Sequence, residues 1–80
     1  MQIQYSKQAI KTISGMTTNT KARIRQGIIA IPKGDIKQLK GSSSTYRLRI
    51  GDWRILFSYK DDATIVIEKI APRGEAYKGA

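Results

Sequence analysis

The stretch YRLRIGDWR, residues 46–54, contains two short apolar runs that flank a Gly-Asp pair and together carry three arginines. A two-residue loop at Gly51-Asp52 is typical of a tight β-hairpin, because glycine adopts the positive φ that such turns require. This loop places Arg49 opposite Arg54, and opposed residues of an antiparallel pair share one face. The other predicted pairs are Ile50 with Trp53, Leu48 with Ile55, Tyr46 with Phe57 and Arg47 with Leu56.

The three arginines of this hairpin are predicted to cluster on the face opposite its apolar residues. Two like charges about 4 Å apart repel by roughly 1 kcal/mol even in bulk water. A bound anion reverses the sign of this effect, and the planar guanidinium matches phosphate oxygens. Two alternatives stay open here, that the arginines shield the open face of a small sheet or that they pair with acidic residues. The candidates for such pairing are Asp52, Glu68 and Glu75.

The segments before the hairpin predict two amphipathic helices. Ser6 can cap a helix over residues 7–13, which Gly15 ends. A second helix follows the threonine-rich residues 17–20 and stops at Pro32 and Gly34. The residues at helical spacing, and so expected to face a sheet, are Ala9, Ile10, Ile13, Ile24, Ile28 and Ile31.

Strand-like alternation marks four runs of the chain, and residues 35–45 are predicted to form a polar connection. The order of elements indicates an α+β fold, in which an N-terminal strand and a two-helix hairpin pack on a mainly antiparallel sheet of about four strands. A chain of 80 residues is expected to form a single domain, 1–80. The predicted strands are residues 2–5, 46–50, 53–59 and 64–70.

Composition limits the kinds of function that the chain can have. The formal charge is +9, with no cysteine and no histidine. A disulfide framework and the common Cys- or His-based metal sites are therefore excluded, and we expect neither metal nor cofactor. A charge this high in a short chain favours a polyanionic partner, with nucleic acid preferred over an anionic membrane surface. The N-terminus lacks the apolar stretch of a signal peptide, so a cytoplasmic location without membrane contact is expected.

The C-terminal stretch IAPRGEAYKGA, residues 70–80, adds an arginine and a tyrosine after the last predicted strand. Pro72 and Gly74 are expected to break the strand ladder, which places Arg73 on a turn. Tyr77 offers a ring on which a base can stack and a hydroxyl that can take part in proton transfer. The alternative for Tyr77 is a ring that packs on the sheet edge. Together these residues suggest RNA handling beside the arginine-rich face.

Residues 35–78, DIKQLKGSSSTYRLRIGDWRILFSYKDDATIVIEKIAPRGEAYK, closely resemble the C-terminal half of the RelE/ParE toxin superfamily. That pattern has a K-L-K-G run, Y-R-L-R-x-G-D-Y-R, an acidic turn, an aliphatic strand and a closing R-x-x-x-Y. The resemblance implies a RelE-like fold and the toxin of a type II toxin–antitoxin pair, with a ribosome-dependent, metal-independent mRNA endonuclease activity. Two alternatives remain, a ParE-like inhibitor of DNA gyrase and a catalytically silent RNA- or ribosome-binding module.

The resemblance also implies roles for individual residues. It assigns the grip on the scissile phosphate, and help to the attacking ribose 2′-hydroxyl, to Arg47, Arg49, Arg54, Arg73 and Tyr77. Tyr77 is the first candidate to accept the hydroxyl proton and Lys40 a weaker one. RNA contacts are expected from Lys37, Lys40 and Lys78. The implied partners are a cognate antitoxin, the ribosome and mRNA in the ribosomal decoding site.

Two features of this chain depart from the family pattern. A basic residue or histidine often precedes the position of Arg73, where this chain has Ala71 and Pro72. The sequence also stops three residues after Tyr77, without a further C-terminal helix. A weaker or differently arranged active site is the expectation that follows.

Overall fold

The structure, a computed structural model, describes residues 2–39, 41 and 44–72. Two helices pack on a sheet whose strand order is β1-β5-β4-β3-β2, with β1 parallel to β5 and the other neighbours antiparallel. The predicted α+β class is confirmed. The elements are β1 (Gln2–Tyr5), α1 (Lys7–Ser14), α2 (Thr18–Ile29), β2 (Asp35–Gln38), β3 (Thr45–Ile50), β4 (Trp53–Asp61) and β5 (Thr64–Pro72).

The helix ends follow the capping signals of the sequence. Ser6 Oγ accepts a hydrogen bond from the Ala9 amide at 3.1 Å, and Thr17 Oγ1 accepts one from the Thr20 amide at 3.3 Å. Each bond satisfies an amide that the first helical turn leaves without a partner. Gly15 caps the C-terminus of α1, as predicted.

The core lies between the helices and one face of the sheet. Ala9, Ile24, Ile28 and Ile31 from the helical segment are buried there, as predicted. The prediction that Ile10 also faces the sheet is wrong, because its side chain is 53% exposed. The buried sheet residues of this cluster are Leu48, Ile55, Phe57, Ile65, Ile67 and Ile70.

The hairpin of β3 and β4 has the predicted register at every pair. Arg49 lies opposite Arg54 and Arg47 opposite Leu56, and the three predicted apolar pairs are also present. Gly51 has a φ of +56°, the left-handed conformation that a side chain would disfavour. The glycine therefore fixes which residues of the two strands share a face.

The sheet differs from the sequence prediction at β2 and at the end of β5. Asp35–Gln38 forms β2, a fifth strand, whereas a polar connection was expected there. This segment offers only Ile36 as an apolar signal, but an edge strand needs just one hydrogen-bonded neighbour, and β3 supplies it. β5 continues through Pro72, which pairs with Trp53. Pro72 takes part in this pairing although proline has no amide hydrogen to donate.

Candidate nucleic-acid interface

The face of the sheet that points away from α1 and α2, called the open face here, carries most of the charged residues of the strands. Alternation along each strand, together with the cross-strand register, decides which residues it holds. Its basic residues outnumber its acidic ones. The basic residues are Lys37, Arg47, Arg49, Arg54 and Lys69, and the acidic residues are Asp35 and Glu68.

Two of the three hairpin arginines on the open face are largely inaccessible to solvent. Arg47 is 9% and Arg54 is 8% exposed, although both belong to the face without helices. Leu56 lies opposite Arg47 and Ala71 opposite Arg54, and these two apolar residues form a small cluster with Leu39. Charged groups in such surroundings lose hydration and interact more strongly with a counter-ion. The open face is thus a place where a bound anion gains more than it would at an ordinary surface.

Asp35, at the start of β2, makes both ion pairs found among the described residues. Its Oδ2 accepts a hydrogen bond from Arg49 Nε at 2.6 Å, and its Oδ1 lies 3.6 Å from Arg47 Nη2. The hydrogen bond from Arg49, helped by the nearby charges of Arg49, Arg47 and Lys37, lowers the pKa of the Asp35 carboxyl below its ordinary value. Asp35 therefore stays ionised and neutralises part of the basic cluster.

An acidic residue thus pairs with two of the three arginines, as one alternative proposed. The residue is Asp35, which was not among the predicted candidates. Glu68, a predicted partner, instead accepts a hydrogen bond from Ser58 Oγ at 2.8 Å. Asp52 forms no ion pair with any residue of the described ranges, and Glu75 lies outside them. The pairing of Asp35 with Arg49 can be predicted only when residues 35–38 are known to form a strand, because the register of β2 then places the two residues opposite each other.

Arg54 differs from the other two arginines in its partners. Among the described residues it forms no ion pair, and it donates a hydrogen bond of 3.4 Å from Nη1 to the carbonyl of Trp53. Its neighbour on β5 is Ala71, which, with Pro72, stands where the family pattern often has a basic residue or histidine. Arg54 is therefore the hairpin arginine whose charge the described carboxylates leave least compensated.

The structure brings together part of the predicted site. Arg47, Arg49 and Arg54 share the open face, and Lys37 joins them opposite Arg47. The roles assigned to these residues stay predictions. The other predicted site residues, Lys40, Arg73, Tyr77 and Lys78, lie outside the described residues.

The described ranges contain neither a metal-type cluster nor a membrane-spanning helix. No three histidine, cysteine or acidic side chains in these ranges are grouped so that they could hold a metal ion. Neither α1 nor α2 has the length and apolar character needed to cross a bilayer.

Comparison with known proteins identifies similar sequences and folds. No family model matches the chain. A curated relative named putative toxin RelE1, from Methanocaldococcus jannaschii, is 51% identical over 47 residues. That match covers 58% of this chain and 52% of the relative, so it spans about half the length of the curated relative.

Solved structures show the same fold over nearly the whole chain. The RelE–RelB complex from Pyrococcus horikoshii contains a chain with 29% identity and a TM-score of 0.72, covering 91% of this chain and 94% of that one. The RelB–RelE antitoxin–toxin complex from Methanococcus jannaschii contains one with 24% identity and a TM-score of 0.76, covering 96% and 98%. The resemblance to the RelE/ParE toxin superfamily predicted from residues 35–78 is thereby confirmed.

Proposed function

From this likeness to RelE toxins in sequence and fold, we propose that the chain is the toxin of a toxin–antitoxin pair and that it cleaves mRNA on the ribosome. The observation that carries the proposal is the arrangement of Arg47, Arg49 and Arg54 on one face, with Arg49 directly opposite Arg54. Opposed like charges weaken a sheet unless something compensates them. Asp35 compensates the charge of Arg49 in part, and the phosphodiester of an RNA strand supplies the compensation that the described carboxylates do not give Arg54.

The proposed reaction uses a nucleophile that the substrate provides. The ribose 2′-hydroxyl attacks the adjacent phosphorus, the bond to the 5′-oxygen of the next nucleotide breaks, and a cyclic phosphate remains. Negative charge builds up on the phosphoryl oxygens during this step, and preorganised arginines stabilise it. Arg54, whose charge the described carboxylates leave least compensated, is the residue from which we expect the largest effect.

Proton transfer is the harder half of this chemistry for a chain without histidine. The 2′-hydroxyl loses a proton, the departing 5′-oxygen gains one, and arginine is too basic to exchange protons easily at neutral pH. Tyr77 is the proposed proton acceptor, with Lys40 as the weaker candidate. The remaining acceleration comes from the ribosome, which holds the codon in position. Naked RNA should therefore be a poor substrate.

The proposed partners follow from the charge and from the relatives. The similar chains from Pyrococcus horikoshii and Methanococcus jannaschii were solved in complex with RelB proteins. An antitoxin that covers the open face with acidic or amphipathic segments would neutralise a chain of charge +9. Cleavage of translated mRNA places the proposed activity in the cytoplasm, where the ribosomes are.

Primer extension on an mRNA translated in a purified system tests the proposal. Codon-phased cuts that appear only when ribosomes are present are the expected result. Intact mRNA together with inhibited DNA supercoiling would select the gyrase inhibitor instead. Intact mRNA with normal supercoiling, but with binding to ribosomes, would select the silent binding module.

A further inference from the structure

Asp35 contacts two arginines of the open face at once. Each carboxylate oxygen serves a different partner, since Oδ2 accepts from Arg49 Nε at 2.6 Å while Oδ1 lies 3.6 Å from Arg47 Nη2. The contact arises from strand register, because Asp35 of β2 lies directly opposite Arg49 of β3. A side chain at the start of an edge strand thus connects the two arginines of the adjacent strand.

The hydrogen bond from Arg49 leaves most of its guanidinium donors available. A guanidinium has five N–H groups, and Asp35 receives the one on Nε. The terminal amino groups of Arg49, which can bind phosphate oxygens in pairs, are not used in this bond. Asp35 therefore restrains the orientation of Arg49 without occupying the donors that a phosphate needs.

The solvent exposure of the two side chains shows that Asp35 orients Arg49 without covering it. The side chains of Arg49 and Asp35 are 50% and 41% exposed, so a phosphate can reach Arg49 without displacing the carboxylate. Arg47 is held at the buried end of the same contact, with 10% of its side chain exposed. The guanidinium of Arg49 is thus held by Asp35 on one side and open to solvent on the other.

We propose that Asp35 is a positioning residue of the RNA-cleaving site, holding Arg47 and Arg49 in the arrangement that receives the scissile phosphate. This inference rests on the proposed function. It adds a residue that acts through the two arginines and that the family resemblance did not assign. Because Asp35 is negative, its removal strengthens general attraction to RNA while loosening the arginines, so binding and turnover respond in opposite directions.

The test compares Asp35→Ala and Asp35→Asn with wild type in ribosome-dependent cleavage, with kcat and KM measured separately. Asp35→Ala should lower kcat on the order of tenfold to a hundredfold, without raising KM. Asp35→Asn keeps an oxygen that accepts the Arg49 hydrogen bond and should recover part of kcat. An unchanged kcat, or one that rises because Asp35 competes with the phosphate, overturns the proposal.

Asp62→Ala is the matched control, because it removes the same charge from the exposed turn between β4 and β5. Its kcat should equal that of wild type. If Asp35→Ala loses the circular dichroism spectrum of the fold, the comparison is made with Asp35→Asn. Equal losses of kcat in Asp62→Ala and Asp35→Ala would mean that net charge, not positioning, is responsible, which overturns the proposal.

A readout without cleavage separates this proposal from the proposed function. In the free protein, the side-chain Nε–H signal of Arg49 in ¹H–¹⁵N NMR should be protected from solvent exchange. Asp35→Ala should abolish that protection and Asp62→Ala should retain it. If wild type shows the protected signal but never cuts mRNA on ribosomes, the proposed function fails while the contact stands. A wild-type Arg49 signal that exchanges freely refutes the restraint itself.

Discussion

Arg49 and Arg54 lie directly opposite each other on neighbouring strands, but only Arg49 is paired with a described carboxylate. Arg49 donates from Nε to Asp35 at 2.6 Å, whereas Arg54, which is 8% exposed, contacts the Trp53 carbonyl at 3.4 Å. The two opposed charges are therefore unequal in their surroundings. Arg49 is oriented by an acidic neighbour, and Arg54 carries a poorly compensated charge in a partly desolvated place, where an anion would be held most strongly.

The first prediction concerns Arg54. Replacement by alanine should reduce ribosome-dependent cleavage by about a hundredfold or more, because charge stabilisation at a developing oxyanion is worth roughly that factor. The fold should be retained, since the substitution also removes a repulsion across the hairpin. Primer extension measures cleavage, and urea unfolding measures the free energy of unfolding.

A variant with the same charge change serves as its control. Arg25 is an exposed residue of α2, on the helical side of the molecule. Arg25→Ala should leave cleavage close to the wild-type rate. A folded Arg54→Ala protein that still cuts mRNA at the wild-type rate would remove Arg54 from the proposed site.

The hairpin could be predicted from the sequence because its signals are local. Gly51 and the alternation on either side fix the register, and the register alone decides that Arg47, Arg49 and Arg54 share a face. No long-range information is needed for this step. The core positions of α2 were predictable for a similar reason, since Ile24 and Ile28 repeat at helical spacing.

The contribution of Asp35 could not be predicted because it depends on a strand with almost no signal of its own. Residues 35–38 read DIKQ, a sequence that forms β2 through backbone pairing with β3 and not through a run of apolar side chains. Context, not propensity, decides whether such an edge segment is a strand. Ile10 shows the same limit in reverse, because helical spacing predicted it as buried and it is exposed.

The second prediction links Asp35 to pH. Folding lowers the pKa of its carboxyl, chiefly through the hydrogen bond from Arg49, so the ionised form is favoured in the folded state. The resulting stability is present at pH values above the ordinary pKa of 3.8, which applies to the unfolded chain, and disappears as the pH falls through the lower folded value. Asp35→Asn should therefore be less stable than wild type at pH 7, with a gap that narrows below about pH 4.

Urea unfolding of both proteins at neutral pH and near pH 3 measures this gap. Asp62→Asn provides the same change of charge at an exposed turn. An NMR titration of the Asp35 carboxyl carbon gives an independent check, and its midpoint should lie below the ordinary value of 3.8. A midpoint at or above that value would contradict the ion pairs with Arg49 and Arg47.

The third prediction concerns Gln8, whose side-chain amide forms hydrogen bonds with the backbone of β5 beyond the end of β1. Its Oε1 accepts from the Ile70 amide at 3.1 Å and its Nε2 donates to the Ile70 carbonyl at 3.2 Å, so the amide pairs with β5 as a neighbouring strand would. Gln8→Ala leaves the backbone amide and carbonyl of Ile70, a fully buried residue, without these partners. The free energy of unfolding should fall by about 1–3 kcal/mol.

Urea unfolding followed by circular dichroism measures that loss. Gln26→Ala, at an exposed position of α2, is the matched control and should change stability by no more than about 0.5 kcal/mol. Equal stabilities of Gln8→Ala and wild type would show that water replaces the amide without cost. The strand ladder would then end at Ser6, whose amide donates to the Ile67 carbonyl at 2.9 Å.

The fourth prediction concerns the proposed antitoxin. A chain of charge +9 should attract an acidic partner from a distance, because charge contrast accelerates encounter. Association should slow markedly between low and physiological ionic strength, since the screening length falls from about 30 Å at 0.01 M salt to about 8 Å at 0.15 M. The dissociation rate should change far less, because contacts made at short range are screened less.

Co-expression with the product of the neighbouring gene, followed by stopped-flow association at several salt concentrations, tests this expectation. Arg49→Ala and Arg25→Ala each remove one positive charge, the first from the open face and the second from the helical side. If the antitoxin covers the open face, Arg49→Ala should slow association and speed dissociation, whereas Arg25→Ala should affect only the salt-dependent association. Equal effects of the two variants would show that the partner responds to net charge alone. A neighbour product that does not bind would instead count against the toxin–antitoxin assignment.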